Sequence, residues 1–320
     1  MSTITAQPAD TASELIHQAL IYDTDQAFLS ATTAFCLDGL ARDDKVLAVT
    51  TDANIELLRA ALGDAAGRVE FVAAREWYEA PGRTLAAYNS YVNTHSPAHR
   101  RIRIIGEPVW HGLGERQEAE WTRYESMLNV AFAGSPAWIV CPYDARTLPG
   151  RIVADARRTH PNLLVGLHPR VSHDYSDPAA FTHPADHHPL PPPPAGTEVT
   201  TIRFDADLFR MRRLVAARAA TFGLSGERAE RFLLAVNEVA TNAVEHGGGH
   251  GEIRLWADGP AIGCDIVDPG RMETPFPGYL PPDPTVLGGH GLWVVRQVCD
   301  LLEIRTGRPG THFRLHLSRA

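Results

Sequence analysis

Cysteine is scarce in this 320-residue sequence: Cys36, Cys141, Cys264 and Cys299 lie far apart, and no two form a C-x-x-C pair. That spacing indicates neither a disulfide framework nor a zinc site, and it predicts four reduced core residues. Long apolar runs are missing too: nowhere are there the roughly 18 consecutive apolar residues of a membrane helix. The opening MSTITAQPADTASEL has no basic stretch followed by an apolar one, so the expectation is a cytoplasmic chain with no membrane partner. Positive charge is not in excess either. Thirty Lys and Arg against 38 Asp and Glu leave a net charge of -8, which argues against direct binding of nucleic acid. Finally, no G-x-x-x-x-G-K-[ST] loop occurs, so that particular backbone cradle for a triphosphate is excluded.

What is present is an ordinary globular composition, 44% hydrophobic and 21% charged. At roughly 100–200 residues per domain, a chain of this length predicts two. The boundary shows in 172-SHDYSDPAAFTHPADHHPLPPPPAGTE-198, where a four-proline run favours extended polyproline II backbone. The expected organisation is a disordered segment over 1–13, an N-terminal domain over 14–168, a semi-rigid Pro/His-rich linker over 169–197 and a C-terminal domain over 198–320. His173, His183, His187 and His188 are read as solvated linker residues, because only His183 and His187 stand i,i+4 and no cysteine accompanies them as in a metal site.

Before the linker, KVLAVT (45–50), EFVAA (70–74), RIRII (101–105) and AWIVC (137–141) alternate with IELLRAALG, TLAAYNSYV and EAEWTRYESMLNVAFAG, where apolar residues recur at threes and fours. Nearly all-apolar strands separated by helices predict a doubly wound α/β domain with a parallel sheet, RecA-like in outline. After the linker the order changes to a strand at EVTTIRF (198–204), two helices, strands at GEIRLWA and AIGCDIVD, a Pro/Gly-rich loop, a helix and two closing strands. Strands without crossover helices predict antiparallel pairing in an α+β sandwich.

Four fragments of the second half carry chemistry. In 235-AVNEVATNAVEHGGG-249, a helix with Ser225 as its expected N-cap places Phe232, Leu233, Val236, Val239, Ala240, Ala243 and Val244 on one apolar stripe. Glu238 and Asn242 stand side by side elsewhere on the circumference, a pair able to position a water and offer an oxygen to Mg²⁺. Any solvent-facing helix can carry such a pair, so this segment alone is ambiguous. The strand in 264-CDIVDPGRM-272 ends at Asp268-Pro269-Gly270, which is either a plain turn or an acceptor for a base amino group beside a glycine that admits a planar ring. Five prolines and a glycine between Pro275 and Pro284 make a long loop that favours a functional lid. It ends at Gly288-Gly289-His290-Gly291 before a helix, where backbone N–H groups and the helix dipole suit a phosphate. Last, 309-PGTHFRLHL-317 offers the Thr311 hydroxyl beside the final strand.

Taken in order, helix Glu-x-x-x-Asn, strand-end Asp-x-Gly, Gly-x-Gly before a helix and a late Gly-Thr, these fragments resemble the GHKL ATPases with their Bergerat sandwich. The text EVATNAVEHG and GHGLWVVRQVCD resembles the anti-sigma-factor serine kinases within that group. The resemblance implies that Glu238 orients or deprotonates the attacking group, Asn242 ligates the Mg²⁺ of ATP and Asp268 reads adenine. It further implies that Gly270 packs near the ring, that Gly289, His290 and Gly291 border the phosphates, and that Thr311 supports the adenine pocket. His246 is read as a structural residue closing the helix. The implied partners are a sigma factor and a STAS-type anti-sigma-factor antagonist phosphorylated on serine or threonine, and the implied assembly is a homodimer. One departure stands out: Leu287, Gly288 and His290 lie where members of that family carry an arginine in the lid.

In the first half, HQALIYDTDQAFLSATTAFCLDGLARDDKVLAVT, GEPVW, WTRYESMLN, CPYDARTLP and THP resemble the MEDS sensory domain across about residues 14–165. That resemblance implies a small, hydrocarbon-like ligand. Doubly wound sheets place ligands at the carboxyl ends of strands, so Glu107, Trp110, Tyr124, Glu125, Asn129, Cys141, Tyr143 and Asp144 are candidates to line a cleft. Trp110, Trp121 and Tyr124 are equally readable as core aromatics. Cys141 as a nucleophile needs a base, and the sequence identifies none.

Overall fold

In the computed structural model the described residues are 14–165, 168–272, 274, 276–282 and 289–319. The expected disorder of 1–13 and the lid residues Leu287 and Gly288 lie outside them. The chain forms two compact units: residues 14–78, 87–112 and 128–176 make up the first, and 79–86, 113–127 and 177–319 the second.

The elements run β1 (Ile16–Tyr22), α1 (Asp25–Ala41), β2 (Lys45–Thr50), α2 (Asp52–Leu62), β3 (Glu70–Ala73), α3 (Ala74–Trp77), α4 (Pro81–His95), β4 (Ile102–Gly106), α5 (Glu115–Ala131), β5 (Ala137–Asp144), α6 (Gly150–Thr159), β6 (Asn162–Val165) and β7 (His168–Val171). Their sheet has the order β3-β2-β4-β5-β1-β6-β7. All its pairings are parallel except β6 with β7, so the doubly wound expectation holds and an antiparallel hairpin is added at one edge. Strands buried on both faces explain the nearly unbroken apolar text of β2 and β4. Two helices begin at threonines that follow a strand. Thr24 Oγ1 accepts the Ala27 N–H and Thr51 Oγ1 accepts that of Asn54, each satisfying an orphan donor of the first turn. Inside the unit the Arg103 guanidinium is almost wholly buried. It donates to Asp44 at 2.8 Å, to Asp38 at 2.5 Å and to the Phe35 carbonyl at 3.0 Å, and it lies over the Trp138 ring.

The second unit continues with α7 (Pro178–His187), β8 (Thr200–Phe204), α8 (Leu208–Thr221), α9 (Gly226–Glu245), β9 (Gly251–Asp258), β10 (Ala261–Asp268), α10 (Gly291–Val298), β11 (Leu301–Gly307) and β12 (Gly310–Ser318). The five strands form one antiparallel sheet in the order β11-β12-β10-β9-β8, as the sequence order predicts. Alternate residues Ile253 and Leu255, Ile262, Cys264 and Ile266, and Phe313, Leu315 and Leu317 meet Val215, Phe232, Val236 and Val239 of the helices in one core. Each such burial contributes about 1.5–3 kcal/mol. Ala235 joins the expected stripe of α9, while Leu233 and Val244 are only partly buried. Ser225 is the N-cap, with extended backbone and no side-chain bond.

The segment expected as linker carries most of β7 and a helix. Asp177 caps α7 by accepting from the Ala179 and Ala180 N–H groups, with Pro178 in the first turn. An Asp-Pro pair thus opens a helix where composition alone suggests extended backbone. This helix packs on β11, and His187 bonds the Thr306 carbonyl at 2.8 Å. The prolines at 191–194 lie in no helix or strand.

Candidate functional site

The end of α9, the end of β10 and the start of α10 enclose a cavity of about 350 Å³, within the usual range for a small-molecule site. Its lining includes Asn242, His246, Asp268, Gly270, Gly289, Gly291 and Thr311, with Met272, Leu292 and Phe313 as apolar walls. Four separate stretches of sequence therefore meet at one place.

Glycine is what lets them meet. A Cβ on Gly247, just past α9, would overlap Asp268 Oδ1 and stand 2.8 Å from the backbone of Ala243. The helix end is thereby seated directly on the strand-end carboxylate, which accounts for the glycine that follows the histidine. At the opposite wall, a Cβ on Gly291 would stand 2.9 Å from Glu238 Oε2 and 3.4 Å from Asn242 Nδ2. The first residue of α10 thus lies against the Glu-x-x-x-Asn pair, and α10 packs on α9.

Asp268 is 5% exposed, and its Oδ1 accepts the Gly270 N–H at 2.8 Å. Burial pushes its carboxyl above the usual carboxylate range, against the opposing pull of that hydrogen bond. Register places Thr311 directly opposite Asp268, and the buried Thr311 hydroxyl donates to the Gly270 carbonyl at 2.9 Å. Asp268, Gly270 and Thr311 are thus one hydrogen-bonded corner. Glu238 and Asn242 are partly exposed, as groups that meet a ligand must be. His246 is the C-cap of α9, its N–H bonding the Asn242 carbonyl, and its exposed ring lines the cavity. His290 is the N-cap of α10 and contributes no capping bond from its side chain.

Glu238 and His290 stand outside the lining, Glu238 just behind Gly291. Sequence reasoning missed Arg271, the only guanidinium among the described lining residues, and the walls Met272, Leu292 and Phe313. Their only signal is adjacency to Asp268-Pro269-Gly270, to Gly291 and to Thr311.

In the first unit the expected strand-end residues divide into two groups. Glu107 is buried at the carboxyl edge of the sheet, where it accepts from Thr50, from the Thr51 N–H and from Asn54 Nδ2 at 2.9 Å. Tyr22 donates to it at 3.4 Å, and burial pushes that phenol well up. Asp144 is held below the usual range by hydrogen bonds from Arg146. Both carboxylates are already engaged. Deeper in the unit lie Cys141, Tyr143 and Asn129, together with His17 and His160, which the sequence reading did not select. Trp110 is buried as well, and so are Trp121, Tyr124 and Glu125, which belong to the second unit. All four cysteines are buried and none forms a disulfide, and burial pushes the Cys36 and Cys299 thiols up to about 12.

Among the described residues, no helix is long and apolar enough to cross a membrane. No curated protein matches the chain. Residues 16–161 match the family model of the MEDS domain (MEthanogen/methylotroph, DcmR Sensory domain), and residues 204–317 match that of the histidine kinase-like ATPase domain. The chain is thus a fusion of a MEDS sensory domain with a histidine kinase-like ATPase domain of the GHKL type.

Proposed function

We propose that this signalling ATPase is a cytoplasmic regulator of the anti-sigma-factor type. In this reading it binds Mg²⁺ and ATP in the α9–β10–α10 cavity and phosphorylates a serine or threonine of a STAS-type antagonist, so controlling release of a sigma factor. The observation that carries the nucleotide part is the corner of Asp268, Gly270 and Thr311, set in a cavity that glycines keep clear of side chains. Because Gly270 engages Oδ1, the other carboxylate oxygen is the acceptor offered to the amino group of adenine. Met272, Leu292 and Phe313 supply apolar surface for a purine.

Asn242 would hold Mg²⁺ through its amide oxygen, a hard ligand. Glu238 would accept the proton of the attacking hydroxyl, while Gly289 and Gly291 offer N–H groups at the positive end of α10. Bound Mg–ATP supplies the transferable phosphoryl group and the metal that spreads its charge.

A second reading has one observation in its favour. The segment 287-LGGHG-291 has no arginine, although phosphoryl transfer is commonly assisted by a cation beyond the metal. In that reading nucleotide sets the conformation of a partner-holding surface and no phosphate moves.

Calorimetry of the full chain with Mg–ATP, followed by γ-labelled ATP and candidate STAS-type antagonists, separates the cases. Mg²⁺-dependent heat and label on the antagonist are expected. Absence of that heat overturns the nucleotide site, and heat without label supports the silent switch.

A further inference from the structure

The first unit contains a cluster of ligating side chains that neither the sheet-edge hydrogen bonds nor the nucleotide cavity uses. His17 on β1 and Cys141 on the neighbouring β5 face each other, with His17 Nε2 and Cys141 Sγ 3.5 Å apart. His160, at the end of α6, lies against His17 with ring centroids 4.0 Å apart and ring planes tilted by 41°. All three are buried, at 2%, 1% and 0% exposure, and their ligand atoms lie within 4.8 Å of one another.

The surrounding oxygens fix the tautomers of both imidazoles. Asn129 donates from Nδ2 to the Thr159 carbonyl at 2.7 Å, which turns its Oδ1 toward His17. That oxygen can only accept, so His17 Nδ1 carries the hydrogen of the 2.9 Å bond and Nε2 faces Cys141 as a lone pair. The Ala156 carbonyl does the same for His160, accepting from Nδ1 at 2.8 Å. Both imidazoles thus carry an Nδ1–H bonded to oxygen, which makes Nε2 the nitrogen able to ligate, as in oriented metal ligands.

The geometry admits a metal, and burial argues against a catalytic pair. Around a tetrahedral Zn²⁺, Zn–S and Zn–N bonds of about 2.3 and 2.0–2.1 Å place sulfur and nitrogen about 3.6 Å apart, close to the observed 3.5 Å. A Cys–His nucleophile needs substrate access, and a thiol 1% exposed in a central strand has none.

We propose that His17, Cys141 and His160 bind a divalent transition-metal ion of the zinc class in the core of the MEDS domain. Imidazole and thiolate together favour zinc over the hard cations Mg²⁺ and Ca²⁺. Binding replaces the Cys141 S–H bond with a sulfur–metal bond and releases that proton to solvent.

The test uses the full chain, stripped with a chelator and titrated with Co²⁺ as a coloured stand-in for Zn²⁺. One equivalent should give a thiolate-to-metal charge-transfer band and tetrahedral d–d bands, both discharged by Zn²⁺, with about one proton released per metal. Cys141→Ser should abolish the charge-transfer band, whereas Cys36→Ser, a control at another buried thiol, should keep it. Asn129→Ala should keep the band and weaken binding roughly 10- to 100-fold, the usual effect of losing a ligand-orienting partner. No band in the wild-type chain overturns the proposal, as does a band that persists in Cys141→Ser. If Cys141→Ser loses its native circular dichroism, the wild-type and Asn129→Ala titrations decide.

Discussion

The cavity of the second unit and the histidine–cysteine cluster of the first are both assembled from distant parts of the chain, by different means. Around Asp268 the assembly depends on missing side chains: Gly247 and Gly291 let α9 and α10 close on polar groups that stay within reach of solvent. Around Cys141 it depends on strand order. Because β1 lies beside β5, His17 and Cys141 share one face of the sheet, and both are buried. An open site of this kind suits a ligand that exchanges, and a closed one suits a resident group. Each unit also buries an arginine. Arg103 is held by Asp44 and Asp38, and Arg314 by both oxygens of Asp265 at 2.6 and 2.8 Å.

The largest expected effect lies at the second of these arginines. Asp265→Ala leaves Arg314 buried without its carboxylate, which should cost about 3–5 kcal/mol and show as a large fall in melting temperature. Burial pushes the Asp265 carboxyl up, but bonds from Arg314 and His312 outweigh it and hold it below the usual range. A depressed carboxylate contributes stability above its unfolded pKa, and that contribution disappears as pH falls through the folded one. The wild-type chain should therefore lose this contribution in acid, and the variant should show less of that acid dependence. If the variant melts like wild type, the pair is not part of what holds the second unit.

Next comes the glycine interlock. Gly247→Ala forces its Cβ into Asp268 and the backbone of Ala243, an overpacking of about 1–3 kcal/mol. ATP affinity measured by calorimetry should fall roughly five- to a hundredfold. Unchanged affinity would show that the open site does not depend on that contact.

The gentlest change is Asp268→Asn. If Asp268 reads adenine as proposed, the amide, with its oxygen still accepting from Gly270, turns a donor toward the adenine amino group, and affinity should drop by about 1–3 kcal/mol. Stability should not drop. The Asp268 carboxyl is raised by burial, so its ionised form works against folding at neutral pH, and the neutral amide removes that penalty. For the same reason, ATP affinity of the wild-type chain should weaken on acidification starting above the ordinary aspartate range. A pH-independent affinity would remove Asp268 from base recognition.

How legible these two regions are in the sequence follows from how they are built. KVLAVT coincides with β2, and the order of elements after the linker is the one observed, since helices and antiparallel strands leave their periods in contiguous text. EFVAA overshoots because Ala74 opens α3, where nothing in the composition marks the switch. The helix at 178–187 is hidden by prolines that a first turn tolerates. Glu238, Asn242, Asp268 and Gly291 are legible as short motifs, whereas Met272 and Phe313 carry no mark of their role as walls. The partner missing for Cys141 is His17, 124 positions away. Only the adjacency of two strands that are not consecutive reveals it.

The seating of Gly247 on Asp268 also bears on how this pocket can be re-engineered. Where a helix terminus and a strand terminus touch with no side chain between them, neither offers a handle for adjusting which base is accepted. Variation aimed at a different nucleobase would have to enter from Met272, Leu292 and Phe313, leaving the α9–β10 seam as it stands.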